Sequence, residues 1–195
     1  MAGGLDARVE VQRCQAEDGR VYFSYAQVHS AIVSLAPRVK EFKPDLIIAI
    51  GGGGFIPARM LRTVLKVPIL AVSLELYDAT STARSQVDRK QWYDVGSELG
   101  SMVPGGRVLI VDEVDDTRVT LEYAVTEVMK DGPAAVAVAC VHNKIKPKKG
   151  VIPEGVLYMA GEHVEDRWNC YPWDAESYGR DIYGHEELAR ECALG

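Results

Sequence analysis

Val108-Leu109-Ile110-Val111-Asp112-Glu113-Val114-Asp115-Asp116-Thr117-Arg118-Val119-Thr120 is the stretch on which the reading of this chain turns. A short apolar run, the pattern of a buried strand from Arg107 to Val111, meets four carboxylates within five positions. Two threonines then open an amphipathic helix predicted from Thr117 to about Lys130. Carboxylates packed this densely repel one another unless cations or hydroxyls sit among them. The helix dipole favours acids in a first turn, which accounts for one or two of them but not for four with two threonines. The pattern fits a site for a phosphorylated sugar and its magnesium ion. Backbone N–H groups from Asp116 onward, with the hydroxyls of Thr117 and Thr120, suit a terminal phosphate. Asp112 and Glu113 suit a vicinal diol or the metal.

On either side the chain alternates strands and helices. Ser24 is placed to cap a helix reaching about Phe42, with Val28, Ile32, Leu35 and Val39 on one face and Pro37 predicted to kink or interrupt it. A buried strand at 45–50, a helix from about Ile56 to Lys66 and a strand from Pro68 to Leu74 follow. Residues 77–87 are small and polar without periodicity and read as a mobile loop, with a strand returning near Lys90 to Tyr93. Beyond the acidic run comes a strand from Ala134 to Val141. This order implies an α/β fold with a parallel sheet flanked by helices. The last 45 residues break the rhythm and read as a cap over the carboxyl edge of the sheet, where open α/β sheets receive ligands.

Gly51-Gly52-Gly53-Gly54 links a strand to a helix, and such glycines permit close backbone approach to a phosphate chain. Neither a Walker loop nor a dinucleotide fingerprint is present, because no Gly-Lys-Ser/Thr follows and Ile56 stands at the third glycine position. Arg59, one turn into the helix, suits a surface or interface charge as well as a ligand contact. The segment Trp168-Asn169-Cys170-Tyr171-Pro172-Trp173-Asp174 offers rings either for a core or for stacking a planar base. The basic run 144–149 reads as a solvated loop in which Lys144, nearest the strand, is best placed to reach inward.

A length of 195 residues suits one domain, and the net charge of -6 argues against nucleic-acid binding. No apolar run approaches the ~18 residues of a membrane span. Four scattered cysteines and four histidines without ligand spacing suit a reduced, cytoplasmic setting and give no zinc pattern.

The run 108–120 closely resembles the phosphoribosyl-pyrophosphate motif of the type I phosphoribosyltransferases. The segments 47–59, 142–147 and 166–174 resemble the 6-oxopurine salvage branch, especially fungal hypoxanthine-guanine and xanthine enzymes and the short bacterial xanthine-guanine type, and the likeness spans about residues 22–176. The resemblance implies a core at about 22–142 and a small C-terminal hood at about 143–180 with a tail, together one domain. It implies that Asp112 and Glu113 hold the ribose hydroxyls and magnesium, and that Asp116 manages the proton at purine N7. Asp115, Asp116, Thr117, Arg118, Val119 and Thr120 would form the phosphoribosyl-binding run, and Gly51, Gly52 and Gly53 the pyrophosphate loop, often with a cis peptide. Lys144 would meet the 6-oxo group, Trp168 would stack on the ring, the Asn169 backbone would meet its edge, and Asp174 would face the 2-position or a second magnesium. Leu76, Tyr77 and Asp78 would begin a closing loop. Arg118 stands where many relatives have glycine. The implied activity is Mg2+-dependent transfer from phosphoribosyl pyrophosphate to hypoxanthine, guanine or xanthine, in a homodimer or tetramer. The rival is a non-enzymatic regulator of the same fold that senses phosphoribosyl pyrophosphate.

Overall fold

In the computed structural model, residues 16–77 and 83–194 are described. A six-stranded sheet carries the chain. In chain order the elements are β1 (Val21–Tyr22), α1 (Tyr25–Phe42), β2 (Leu46–Gly51), α2 (Phe55–Leu65), β3 (Ile69–Tyr77) and β4 (Ala83–Gln91). There follow β5 (Arg107–Asp115), α3 (Val119–Met129), β6 (Ala135–Lys144), β7 (Leu157–Val164), β8 (Asn169–Cys170) and α4 (Ile182–Leu194). The main sheet has the order β4-β3-β2-β5-β6-β7, parallel except for the antiparallel edge strand β4. Helices α1 and α2 cover one face, where Val28, Leu35 and Val39 bury against Ile47, Leu109 and Ala137. Helix α3 covers the other, placing Leu121, Val125 and Val128 on Ile48, Ile110 and Val138. Strands buried on both faces are apolar throughout, which is why 46–50 and 108–111 were legible as unbroken hydrophobic runs.

Ser24 caps α1 as the sequence predicts: its hydroxyl accepts from the Gln27 N–H, and the Gln27 side chain accepts from the Ser24 N–H. Pro37 does not interrupt this helix. Pro37 lies on the exposed face, one turn beyond the exposed Val33, so the carbonyl it leaves without an amide donor faces water. Buried Leu35 and Val39 anchor the helix on both sides of it.

Four further expectations are corrected. Tyr77 and residues 83–87 belong to strands, not to a loop, with Tyr77 opposite Ala83 and register shifts along the ladder. Their small, polar composition hid this, because what makes them a strand is the pairing with β3, which no local pattern announces. Of the expected closing loop, Leu76 and Tyr77 therefore end β3, and Asp78 lies outside the described residues. Strand β5 continues four residues past Val111, through the acids, because β6 pairs with it as far as Asp115↔Asn143. Helix α3 starts at Val119 instead of Thr117, with Arg118 before it at φ +69°. Finally, the C-terminal stretch holds a full parallel strand, β7, and helix α4. There β8 pairs with β1, and α4 packs on β1.

Candidate active site

At the carboxyl ends of β2 and β5 an open cleft of ≈690 Å³, counted out to bulk solvent, is lined by Gly51–Gly53, Asp112–Arg118 and Thr120. The glycine turn and the acidic strand end meet there directly. A Cβ on Gly53 would lie 1.4 Å from Glu113 Oε2, so only glycine leaves room for that carboxylate. A Cβ on Gly54 would lie 2.5 Å from the carbonyl oxygens of both Ile50 and Val111, which explains how tightly the turn joins the two strands. The Gly51–Gly52 peptide is cis.

The four acids separate into three environments. Burial pushes Asp112 up to about 7, aided by the charge of Asp115 and opposed by the Glu113 N–H it accepts. Burial also raises Glu113, to about 8, with Asp112 and Asp174 adding to the rise. Glu113 Oε2 is buried without a hydrogen-bond partner among the described residues. These two groups face the cleft and want a cation or hydroxyl donors.

Asp115 is different. It is 1% exposed, and its Oδ2 accepts Nε and Nη2 of Arg118 at 2.9 and 2.7 Å and the Tyr158 hydroxyl at 2.7 Å. Lys148 Nζ lies 3.5 Å from Oδ1 and also donates to the main-chain oxygens of Asp115 and Asp116. The Arg118 guanidinium lies over the Tyr158 ring, 4.6 Å from its centroid. This side chain therefore braces the turn that delivers Thr117 and Arg118, and it pins Arg118 in the left-handed region where glycine is otherwise favoured. From outside, the N–H groups of Lys149 and Gly150 donate to the Thr117 carbonyl.

Asp116 lies on the other flank of the cleft. Burial alone would raise its pKa, but a 2.8 Å hydrogen bond from Lys146 and the Lys144 ammonium 3.3 Å away hold it below the usual range. Lys146 bridges onward to Asp166 at 2.8 Å. The result is an ionised carboxylate between two ammonium groups, with Lys144 at the end of β6 largely buried.

Above this flank Trp168 is 52% exposed, while Asn169, next to it in β8, is buried. Asp174 sits in the 3-10 segment Pro172–Tyr178, its pKa raised by burial and eased by His185. Arg59 is exposed and donates to Thr63, away from the acids. Lys146, Lys148, Tyr158, Tyr171 and Trp173 were not singled out from the sequence as individual site residues. The alternate spacing of Lys144, Lys146 and Lys148 was the available signal, since it directs all three to one side of an extended chain.

A parallel sheet whose carboxyl edge brings together a glycine turn, an acidic strand end and a helix N-terminus places the chain among α/β proteins built to receive phosphorylated ligands. More narrowly, it belongs to the phosphoribosyl transferase domain family, whose profile matches residues 25–154. The chain is 41% identical over 205 residues to the hypoxanthine-guanine phosphoribosyltransferase of Saccharomyces cerevisiae, covering 87% of this chain and 90% of that one. It is 39% identical over 208 residues to xanthine phosphoribosyltransferase 1 of the same yeast, covering 90% and 97%. Among solved structures, a hypothetical protein from Neisseria gonorrhoeae with bound ppGpp superposes with a TM-score of 0.78 at 42% identity, covering 93% of this chain and 98% of that one.

The two raised carboxyls give a testable pH dependence. Between about pH 4 and about 8 the ligand-free fold retains protons that the unfolded chain has released, so these groups cost stability as pH rises through that window. Thermal melts across it should show wild type losing ground to Glu113→Gln as pH increases. Parallel curves for the two proteins would refute the assignment.

Proposed function

We propose that this protein transfers the phosphoribosyl group of phosphoribosyl pyrophosphate to a 6-oxopurine in purine salvage, giving the nucleoside monophosphate and pyrophosphate. The observation that carries the reading is the seating of the Glu113 carboxylate over Gly53, which joins the acidic strand to the glycine turn in one cleft. The names of the yeast relatives, one xanthine and one hypoxanthine-guanine enzyme, support the substrate class. The Neisseria neighbour, with its bound ppGpp, adds a guanine nucleotide carrying diphosphates on a related fold.

In this reading the turn from Asp116 to Thr120 takes the 5′-phosphate, and Gly51 to Gly53 take the pyrophosphate. Asp112 and Glu113 take the ribose hydroxyls. The residues also fit magnesium: two adjacent carboxyls are raised by burial, and one carries an orphaned buried oxygen. Asp112 and Glu113 would be the side chains that hold the ion. When bound, it supplies positive charge to the departing pyrophosphate.

The bond from ribose C1 to the pyrophosphate oxygen breaks ahead of bond making to the purine nitrogen, which places positive charge on the sugar in the transition state. Asp112 and Glu113, ionised in the loaded site, stabilise that charge through their proximity to the ribose. Lys144 faces the 6-oxo group, and Asp116 receives or shares the proton at N7. Trp168 stacks on the base, Asn169 meets its edge, and Asp174 faces the 2-position.

The direct test is pyrophosphate release with magnesium, phosphoribosyl pyrophosphate and a panel of hypoxanthine, guanine, xanthine and adenine. Release with the 6-oxopurines and not with adenine is expected, and no release with any base would overturn the reading. For Trp168→Ala, loss of a stacking partner worth about 1–3 kcal/mol should raise the KM for the base about 5- to 160-fold. Turnover should stay near wild type, and an unaltered KM would exclude stacking.

A further inference from the structure

Four consecutive peptide units of the turn after β5 are gripped from behind by one short stretch of chain. Lys148 Nζ donates to the main-chain oxygens of Asp115 and Asp116 at 2.6 and 2.9 Å. The N–H groups of Lys149 and Gly150 both donate to the Thr117 carbonyl, at 3.0 and 3.1 Å. Gly150 is buried against the next unit. A Cβ there would lie 2.5 Å from the Arg118 carbonyl oxygen and 2.9 Å from the Val119 nitrogen, so only glycine lets the two segments touch. Residues 148–150 do not line the cleft, whereas Asp115, Asp116, Thr117 and Arg118 do. In a planar trans peptide, a carbonyl and the N–H that follows it point in opposite directions. Among the described residues the only cis peptide is Gly51–Gly52. Three carbonyls drawn to the back therefore turn the N–H groups of Asp116, Thr117 and Arg118 toward the cleft. Among the described residues, the N–H groups of Thr117 and Arg118 meet no acceptor.

We propose that Lys148 and Gly150 are positioning residues: their stretch holds the carbonyls of Asp115, Asp116 and Thr117 outward and so aims the following N–H groups at a phosphate monoester. The inference rests on the phosphoribosyl-pyrophosphate reading above, in which this turn takes the 5′-phosphate, and adds what makes the turn an anion site. A turn free to rotate its peptide planes would present carbonyl oxygens as readily as N–H groups, and an oxygen facing the phosphate repels it. Recognition through the main chain also leaves the Arg118 side chain to its two bonds with Asp115.

Gly150→Ala intrudes on the Arg118 peptide, and Lys148→Met releases two carbonyls without adding bulk. Should Gly150→Ala fail to fold, Lys148→Met carries the same test. Gly161→Ala is the control, because its Cβ would meet the Ala31 and Val141 carbonyl oxygens at 2.7 and 2.8 Å, a comparable intrusion between α1 and the sheet. Calorimetric binding of magnesium phosphoribosyl pyrophosphate, both KM values, thermal melting and amide NMR spectra with guanosine 5′-monophosphate should be measured on the full chain. Each of the first two variants should bind phosphoribosyl pyrophosphate about tenfold more weakly, with its KM raised to match, the loss that follows removal of one charge-assisted hydrogen bond. The base KM should stay within about twofold. The Thr117 and Arg118 amide protons should move downfield when wild type takes up the nucleotide, and less in the variants. Gly161→Ala should lower the Tm and leave sugar-phosphate affinity within about twofold of wild type. Unchanged affinity in Lys148→Met or in folded Gly150→Ala, an equal rise in the base KM, unmoved amide signals in wild type, or the same loss in Gly161→Ala would each overturn the proposal. Failure of the wild type to bind the sugar phosphate would instead overturn the functional reading itself.

Discussion

Asp116→Asn should lower kcat by about 10²–10⁴-fold, the range spanned by a single proton-transferring group, while phosphoribosyl pyrophosphate binds within a few-fold of wild type. The carboxylate is ionised because Lys146 and Lys144 outweigh its burial, so in the resting protein it can accept a proton. Asparagine keeps an oxygen for Lys146 but can neither take up a proton nor balance two ammonium groups. That second defect needs its own control. Lys146→Met removes one cation without touching the carboxylate, and it should cost far less turnover because Lys144 remains 3.3 Å from Asp116. Steady-state kinetics with calorimetric sugar-phosphate binding decides the matter. Turnover of Asp116→Asn within about threefold of wild type would remove this residue from the chemistry.

Asp115→Ala should produce the largest loss of stability, although the residue belongs to the same acidic run. It accepts two Arg118 N–H groups and one tyrosine hydroxyl on a single buried oxygen, with Lys148 close to the other. Truncation leaves the Arg118 and Lys148 charges side by side with their counter-charge gone. Removing one partner of a buried ion pair costs about 3–5 kcal/mol. For a chain of this size that corresponds to a fall of about 6–20 °C in Tm. The turn from Asp116 to Thr120 should loosen with it and weaken sugar-phosphate binding. A Tm shift under about 2 °C would mean that the cluster does not brace the turn.

These two neighbours show where the sequence was readable and where it was not. The apolar runs around Ile48, Ile110 and Val138 declared a sheet with both faces covered, and the Ser24 cap was visible in the residues themselves. The meeting of the glycine turn with the acids followed from strand-end logic alone. By contrast, the inward role of Asp115 depends on Tyr158 and Lys148, which arrive from β7 and from the stretch after β6. No local pattern announces such partners. The same holds for β4, whose polar residues become a strand by pairing with β3. In the basic run, Lys146 and Lys148 read as solvated because charge composition says nothing about which carboxylates wait opposite. The aromatic segment posed the reverse difficulty: core and binding roles were both open, and the fold divides them, with Trp168 outward and Tyr171 buried against Phe23.

The parallel pairing of Val21 with Asn169 and of Tyr22 with Cys170 also bears on how the molecule comes into being. Strand β1 leaves the ribosome well before its partner strand β8 and the helix that packs on it, residues 182–194, have been translated. A nascent chain can assemble β2, β3, β5 and β6 with their helices while residues 21–23 wait unpaired, Tyr22 and Phe23 exposing rings that are fully covered in the finished fold. Chaperone dependence during synthesis should accordingly concentrate on that early aromatic stretch.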